Sequence, residues 1–237
     1  MNESRVPRWI PVALRPDAYV ASRLRRALFD HLREAGLGRG CRVLDLGCGS
    51  QPYRESILAT GAEYVPCDLG RGSHVEIREG VPLDLPSRHF DLGVSVQVLE
   101  HVWDIDEYLG HFVRQLRPGG RVVLSTHGVW IFHPHPTDFR RWTRTGLCRE
   151  LESRGLIVER VSPVMGPLAW TTQIRSLGMS HVLLGLGTIG SLLSIVVSAL
   201  MNLRMWIEDS VKPAAIANDN ACVYVVTARV PRPHGDG

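Results

Sequence analysis

Two rhythms of hydrophobic and polar residues run along the chain, and together they lay out its elements. Val20, Leu24, Leu28 and Leu32 recur at helical spacing with arginines between them. They predict a helix that starts at Asp17, after Pro16, and runs to about Glu34, with Gly36, Gly38 and Gly40 ending it. Seven short apolar runs follow, at 43–46, 63–68, 74–79, 90–96, 121–126, 156–161 and 221–229, each of strand length. Helix-compatible stretches at 53–59, 104–116 and 145–154 lie between them, and this alternation predicts an α/β fold around a mostly parallel sheet. Residues 1–16 hold three prolines and read as an irregular arm. The roughly 60 residues before the last strand exceed any hairpin loop and must carry structure of their own. Within them, Val182 to Met201 is a run of 20 residues without a charge.

Length suits one domain with embellishment: an arm and helix over 1–40, a cofactor-binding core over 41–165, an apolar helical insert over 166–215 and a final strand over 220–230. Five cysteines, at 41, 48, 67, 148 and 222, have neither paired nor metal-like spacing, which points to a reducing, cytoplasmic setting. Net charge is +3, and only Lys212 among the basic residues is lysine. Nine arginines face four acids in 1–42, but no aromatics interleave with them, so no nucleic-acid partner is expected. The N-terminus has no apolar core of signal-peptide type.

The chemistry begins at Val43-Leu44-Asp45-Leu46-Gly47-Cys48-Gly49-Ser50. A strand that ends in glycines can bring bare backbone against a ligand, and the N–H groups beyond it face that ligand. A dinucleotide fingerprint would need a third glycine three residues after Gly49, where Pro52 stands. The string Asp45-Leu46-Gly47-Cys48-Gly49 instead resembles the first motif of class I S-adenosylmethionine-dependent methyltransferases. Phe90-Asp91-Leu92-Gly93-Val94-Ser95-Val96 with Gln97-Val98-Leu99-Glu100-His101-Val102 resembles the fourth, and the Arg117-Pro118-Gly119-Gly120 turn is a further mark. The likeness covers roughly residues 40–127 closely and is of the type-11-like kind.

The resemblance implies a Rossmann-like, seven-stranded, mostly parallel sheet flanked by helices. Its last strand is antiparallel, and the apolar insert falls between strands 6 and 7. It implies S-adenosyl-L-methionine as cofactor, with Gly47 and Gly49 in backbone contact and Asp45 orienting the loop near the ammonium. Asp68, with Leu69 beside it, would accept the ribose hydroxyls, and Gln97 would reach the methionine carboxylate. The family's acid after the third strand is missing, because Val81 follows Gly80; backbone groups with Val81 and Leu85, or else Asp84, would hold the adenine. A helix over the cofactor would bring in Tyr19 or merely pack on the sheet. Glu100 and His101 either touch ligand or cap the next helix.

Residues 127–143 combine three histidines, an acid, two arginines and two tryptophans at the carboxyl edge of the sheet. One reading makes His133 or His135 a general base with Asp138 as its orienting partner, and Arg140, Arg141 and Trp142 acceptor-binding groups. The other makes the stretch a rigid lid. His-Pro-His lacks a third ligand in register, so no metal is expected. Methyl transfer to a small-molecule, glycan or lipid-linked acceptor, at oxygen, is the expected reaction, with a non-catalytic cofactor-binding subunit as the alternative. Gly185, Gly187 and Gly190 match a dinucleotide fingerprint without the strand-helix repeats it needs. The insert must turn back if the last strand joins the sheet. It reads either as a buried or homodimer-forming helix or as a membrane-surface contact through 180–205, with Gly187, Ser191, Ser194 and Ser198 on one stripe.

Overall fold

The computed structural model describes residues 10–69, 75–134 and 137–232. Seven strands form one sheet in the order β3-β2-β1-β4-β5-β7-β6. Strands β1 (Arg42–Leu46), β2 (Glu63–Asp68), β3 (Val75–Glu76), β4 (Phe90–Val96) and β5 (Leu116–His127) pair in parallel. The last strand, β7 (Val223–Arg229), lies antiparallel between β5 and β6 (Ile157–Val164), as expected. The sheet is buried on both faces because successive side chains go to opposite sides. Val43, Leu92, Val94 and Val123 pack under α1 (Ala18–Glu34) and Ile57 of α2 (Arg54–Leu58), while Leu44, Leu46, Val122 and Leu124 pack under α3 (Ile105–Gln115) and α4 (Arg144–Glu152). At Gly93 any side chain would meet the Phe112 ring at 2.6 Å, so α3 sits close against β4.

Local chemistry sets the ends of these elements. The Asp104 carboxylate accepts the Glu107 N–H at 2.9 Å and starts α3, and Thr143 Oγ1 accepts the Gly146 N–H at 3.1 Å to start α4. Asp17 occupies the first cap position of α1, where its carbonyl, not its carboxylate, accepts the Ala21 N–H at 3.0 Å. Among the described residues the third strand is shorter than its apolar run: pairing there covers only Cys67↔Val75 and Asp68↔Glu76. Beyond it Arg78 and Val81 close a tight reversal around Gly80, at φ +71°.

Tyr19, a candidate to cover the cofactor, serves instead as a strut. Its hydroxyl donates to Asp209 at 3.1 Å, and the same buried carboxylate meets Arg23 at 3.2 Å, Lys212 at 2.5 Å and the Gly166 N–H at 3.1 Å. The chain's one lysine is thereby committed to tying α1 to the insert. On the other end of α1, His31 bridges Thr227 Oγ1 (2.7 Å) and Ser162 Oγ (2.8 Å), and burial holds its pKa down at about 4.

The insert is a helical hairpin. Helix α5 (Pro167–Leu184) and α6 (Gly187–Ser210) run antiparallel through a short turn, and α7 (Ala214–Asp219) leads back to β7. The charge-free run is therefore split near its start. Ser191, Ser194 and Ser198 do face protein, but Gly187 is exposed and Gly190 takes the inward place.

Candidate functional site

Strand order reverses between β1, which continues to β2, and β4, its other neighbour. Loops leaving adjacent strands at such a point diverge and leave a crevice at the carboxyl ends. An open cleft of about 700 Å³ lies there. One wall comes from Gly47, Cys48, Gly49, Asp68 and Gln97; the other from Trp103, His133, Thr137 and Phe139, with His101 between.

The strand-tip wall is backbone geometry. Gly47 and Gly49 have φ of +74° and +52°. A Cβ on Gly47 would stand 2.5 Å from a Val98 methyl, whereas one on Gly49 would point into open space. Asp68 closes the turn: one carboxylate oxygen accepts the Gly49 N–H at 2.6 Å and the other the Leu69 N–H at 2.7 Å. Asp68 also lines the cleft, and it does so as a carboxylate, a group that only accepts. Gln97 has φ +57°, a conformation costly for a residue with a side chain. It is held by bonds from its N–H to the Ser125 carbonyl (3.0 Å) and from Nε2 to Ser125 Oγ (3.1 Å).

Asp45 does not line the cleft. It is buried and accepts the Tyr64 hydroxyl at 2.5 Å; burial, opposed by that bond and reinforced by Asp68, pushes its carboxyl up to about 6. Leu85 packs into the core beneath the sheet and Val81 turns outward, because the Gly80 reversal presents Ile77, Arg78 and Glu79 to the cleft instead. Glu79 is thus an acid of this loop that stands one place ahead of Gly80. Glu107 and His111, one turn apart on α3, complete this end, and the Glu107 carboxylate accepts the Gly80 N–H at 2.7 Å. Neither has a signal in the sequence beyond a helical i, i+4 spacing.

The loop wall redistributes the roles read from sequence. Arg141 is not free to hold a substrate: it forks onto Asp138 at 2.5 and 2.7 Å and donates to the carbonyls of Trp130, Ile131 and Arg140. Arg140 donates to the Val102 and Trp103 carbonyls and lies over the Trp103 ring. A proline-rich loop leaves backbone carbonyls without ladder partners, and guanidinium groups with five donors satisfy several at once. Asp138 likewise accepts the His133 backbone N–H at 2.6 Å, not its ring. Burial works against its charge, yet Arg141 and that N–H outweigh burial and hold it down at about 2. Trp142 is in the core, 8% exposed. His135 lies outside the described residues.

Beneath the loop, Glu100 is fully buried, with Thr126 Oγ1 donating to it at 2.8 Å and His127 Nδ1 2.8 Å away, off the hydrogen-bond angle. Burial opposes its charge, but His127, a backbone bond and Thr126 together outweigh burial, so its carboxyl is held below the usual range. Glu100 therefore pins the end of β5; capping α3 falls to Asp104. His127 stacks on Trp130 at 5.3 Å, His133 approaches its edge at 6.3 Å, and His101 lies 5.7 Å from His133. His101 Nδ1 meets the Thr137 carbonyl, which only accepts. Nδ1 is therefore the donor nitrogen, and Nε2 is the one left to accept a proton. Among the described residues no group of three or more His, Cys, Asp or Glu is placed to hold a metal.

This geometry fits S-adenosylmethionine. The glycine cradle would be blocked by a Cβ at 47, an acceptor-only carboxylate stands at the adjacent strand tip, and the cleft volume suits a nucleoside with an amino-acid tail.

Similarity to known proteins points the same way. The ubiquinone biosynthesis O-methyltransferase of Ruegeria sp. is 27% identical over 199 residues, 69% of this chain and 81% of that protein. The enzyme of the same name from Aromatoleum aromaticum is 33% identical over 110 residues, 40% and 47%. The chain spans about half the length of several of the curated relatives it matches. Among solved structures, Haemonchus contortus phosphoethanolamine N-methyltransferase 2 with S-adenosyl-L-methionine superposes with a TM-score of 0.54 at 17% identity, covering 87% of this chain and 53% of that one. The [4+2]-cyclase SpnF gives 0.57 at 18%, covering 87% and 80%. Such likenesses show the fold, and the pair shows that the fold alone does not choose the reaction. A methyltransferase-domain family model matches residues 19–158, more than half the chain and every strand that builds the cleft, so the chain belongs to the S-adenosylmethionine-dependent methyltransferase family.

Proposed function

We propose that this protein transfers a methyl group from S-adenosylmethionine to an oxygen of a small-molecule, glycan or lipid-linked acceptor. The observation that carries the reading is one cleft with the glycine–Asp68 cradle at one end and a pair of histidines at the other. When bound, the cofactor supplies a methyl on a sulfonium, an already activated leaving group. The protein's work is then positioning and the removal of one proton. Gly47, Gly49, Asp68, Leu69 and Gln97 hold the donor, with Glu79 or Glu107 facing the nucleoside. His101 takes the proton through Nε2 as the acceptor oxygen bonds carbon, and His133 lies beside it to orient the acceptor. Asp138 and Arg141 position this wall, and Arg140 with Trp103 and Phe139 shapes its apolar mouth. Relatives named for O-methylation favour oxygen over nitrogen.

The test has two readouts. S-adenosylmethionine or its demethylated product should raise the melting temperature by mass action, and Asp68→Ala should reduce that rise. No rise in folded protein would sink the reading. Labelled methyl should pass from the cofactor into an extracted lipid or aqueous metabolite fraction, at least tenfold more slowly in His101→Asn, with cofactor binding intact. Normal transfer in both His101→Asn and His133→Asn would remove the histidines from the chemistry, and binding without transfer would leave a non-catalytic subunit.

A further inference from the structure

We propose that the tip of the α5–α6 hairpin inserts into one leaflet of a lipid bilayer that carries anionic headgroups. The inference goes beyond the cleft, to which residues 180–205 contribute nothing.

The hairpin is built inside out for water. Ser180, Ser191, Ser194 and Ser198 are buried between its helices, and Ser180 and Ser198 exchange a hydrogen bond at 3.2 Å. Gly190 allows the close approach, since a Cβ there would run into the Leu183 carbonyl. The large apolar side chains face outward: Ile189 is 74% exposed and Val182 66%, with Leu186, Leu193, Val196 and Leu200 alongside. In water such residues would be drawn inward; small and hydroxyl-bearing residues between helices with large ones outside is the packing found in hydrocarbon. The apolar surface also wraps the tip from α6 to Met179 and Val182 on α5, so a partner helix laid on one face would leave the rest uncovered.

Charge gives the depth. No Asp, Glu, Lys or Arg lies between Arg175 and Arg204, and the first charge met on each arm is an arginine. From Arg175 to the turn at Gly185 is about ten helical residues, or ~15 Å, half of the ~30 Å hydrocarbon core. Arg175 at that level suits anionic headgroups, while Arg204, 17 residues along α6 from Gly187 or ~26 Å from the turn, stands above it in water. A full crossing is excluded, because the strands on either side of the insert, β6 and β7, are paired in one sheet from Ile157↔Arg229 to Val164↔Val223.

The test is co-sedimentation of the full chain with phosphatidylcholine vesicles, with and without phosphatidylglycerol. Binding is expected with both lipids present and should be weaker on phosphatidylcholine alone. Ile189→Asp and Leu193→Asp should each lower it about tenfold or more, with circular dichroism and melting temperature unchanged. Absence of binding to either vesicle would overturn the proposal. So would a vesicle-free dimer that the same substitutions dissociate, because a second copy would then be what covers this surface.

Discussion

The strand-tip wall of the cleft is bare backbone, whereas the loop wall opposite is held together by arginine. On the first, Gly47, Gly49 and Gln97 sit at positive φ at the ends of core strands, and one carboxylate, Asp68, closes the turn. On the second, the guanidinium of Arg141 joins five oxygens, two of Asp138 and three backbone carbonyls, across a segment whose described residues form no helix or strand. A wall that inherits its shape from a sheet needs few side chains to keep it. A wall without a ladder must use its polar residues on itself, which is why groups that look like substrate clamps in sequence turn out to be struts.

The largest expected effect breaks that second wall. Arg141→Ala leaves the Asp138 side chain, 2% exposed, without its cation, and unfolding free energy in urea should fall by about 3–5 kcal/mol. Arg140→Ala, which serves two carbonyls at the rim, should cost about 1 kcal/mol. Equal losses would refute the division of labour between the two arginines.

Acid–base behaviour sharpens the contrast, because Asp138 in the loop wall and Asp45, buried in β1 behind the other wall, are shifted in opposite directions. Asp138, lowered from 3.8 to about 2, contributes stability that is complete above its ordinary value and lost as pH falls through about 2. Asp45, raised from 3.8 to about 6, contributes stability that is complete below its ordinary value and lost as pH rises through about 6. These amount to about 2 kcal/mol for Asp138 and about 3 kcal/mol for Asp45. Urea midpoints across pH should therefore lose their acid-side slope in Asp138→Asn and their slope between pH 3.8 and about 6 in Asp45→Asn. Unchanged profiles would show that neither burial nor Arg141 sets these groups.

A modest effect on stability, though decisive for the ligand, separates the two glycines. Gly47→Ala meets both positive φ and the Val98 methyl, so about 2 kcal/mol of stability and the cofactor-induced rise in melting temperature should go together. Gly49→Ala meets only the φ, and should cost about 1 kcal/mol and keep part of the rise. Reversed ranks in a thermal-shift titration would mean that ligand, not Val98, fills the space beside Gly47.

What the chain's order of residues determined by itself was everything governed by near neighbours. Apolar runs of strand length placed five of the seven strands closely; β5 starts earlier, because the 117–120 stretch expected to be a turn joins the strand with a register shift, and β3 is cut short before the Gly80 reversal. The Asp45-to-Ser50 turn and the Asp68 tip were legible because β1 and β2 are adjacent parallel strands, so residues at their ends must meet. Only the tertiary structure decided which polar groups face the cleft. His101, Glu79 and Glu107 come to it, while Trp142 goes to the core, Tyr19 to Asp209, and Arg140 and Arg141 to carbonyls of the loop. The reason is that a buried or half-buried polar group takes whatever partner relieves its desolvation, and that partner is chosen by packing between distant segments, which no local pattern encodes.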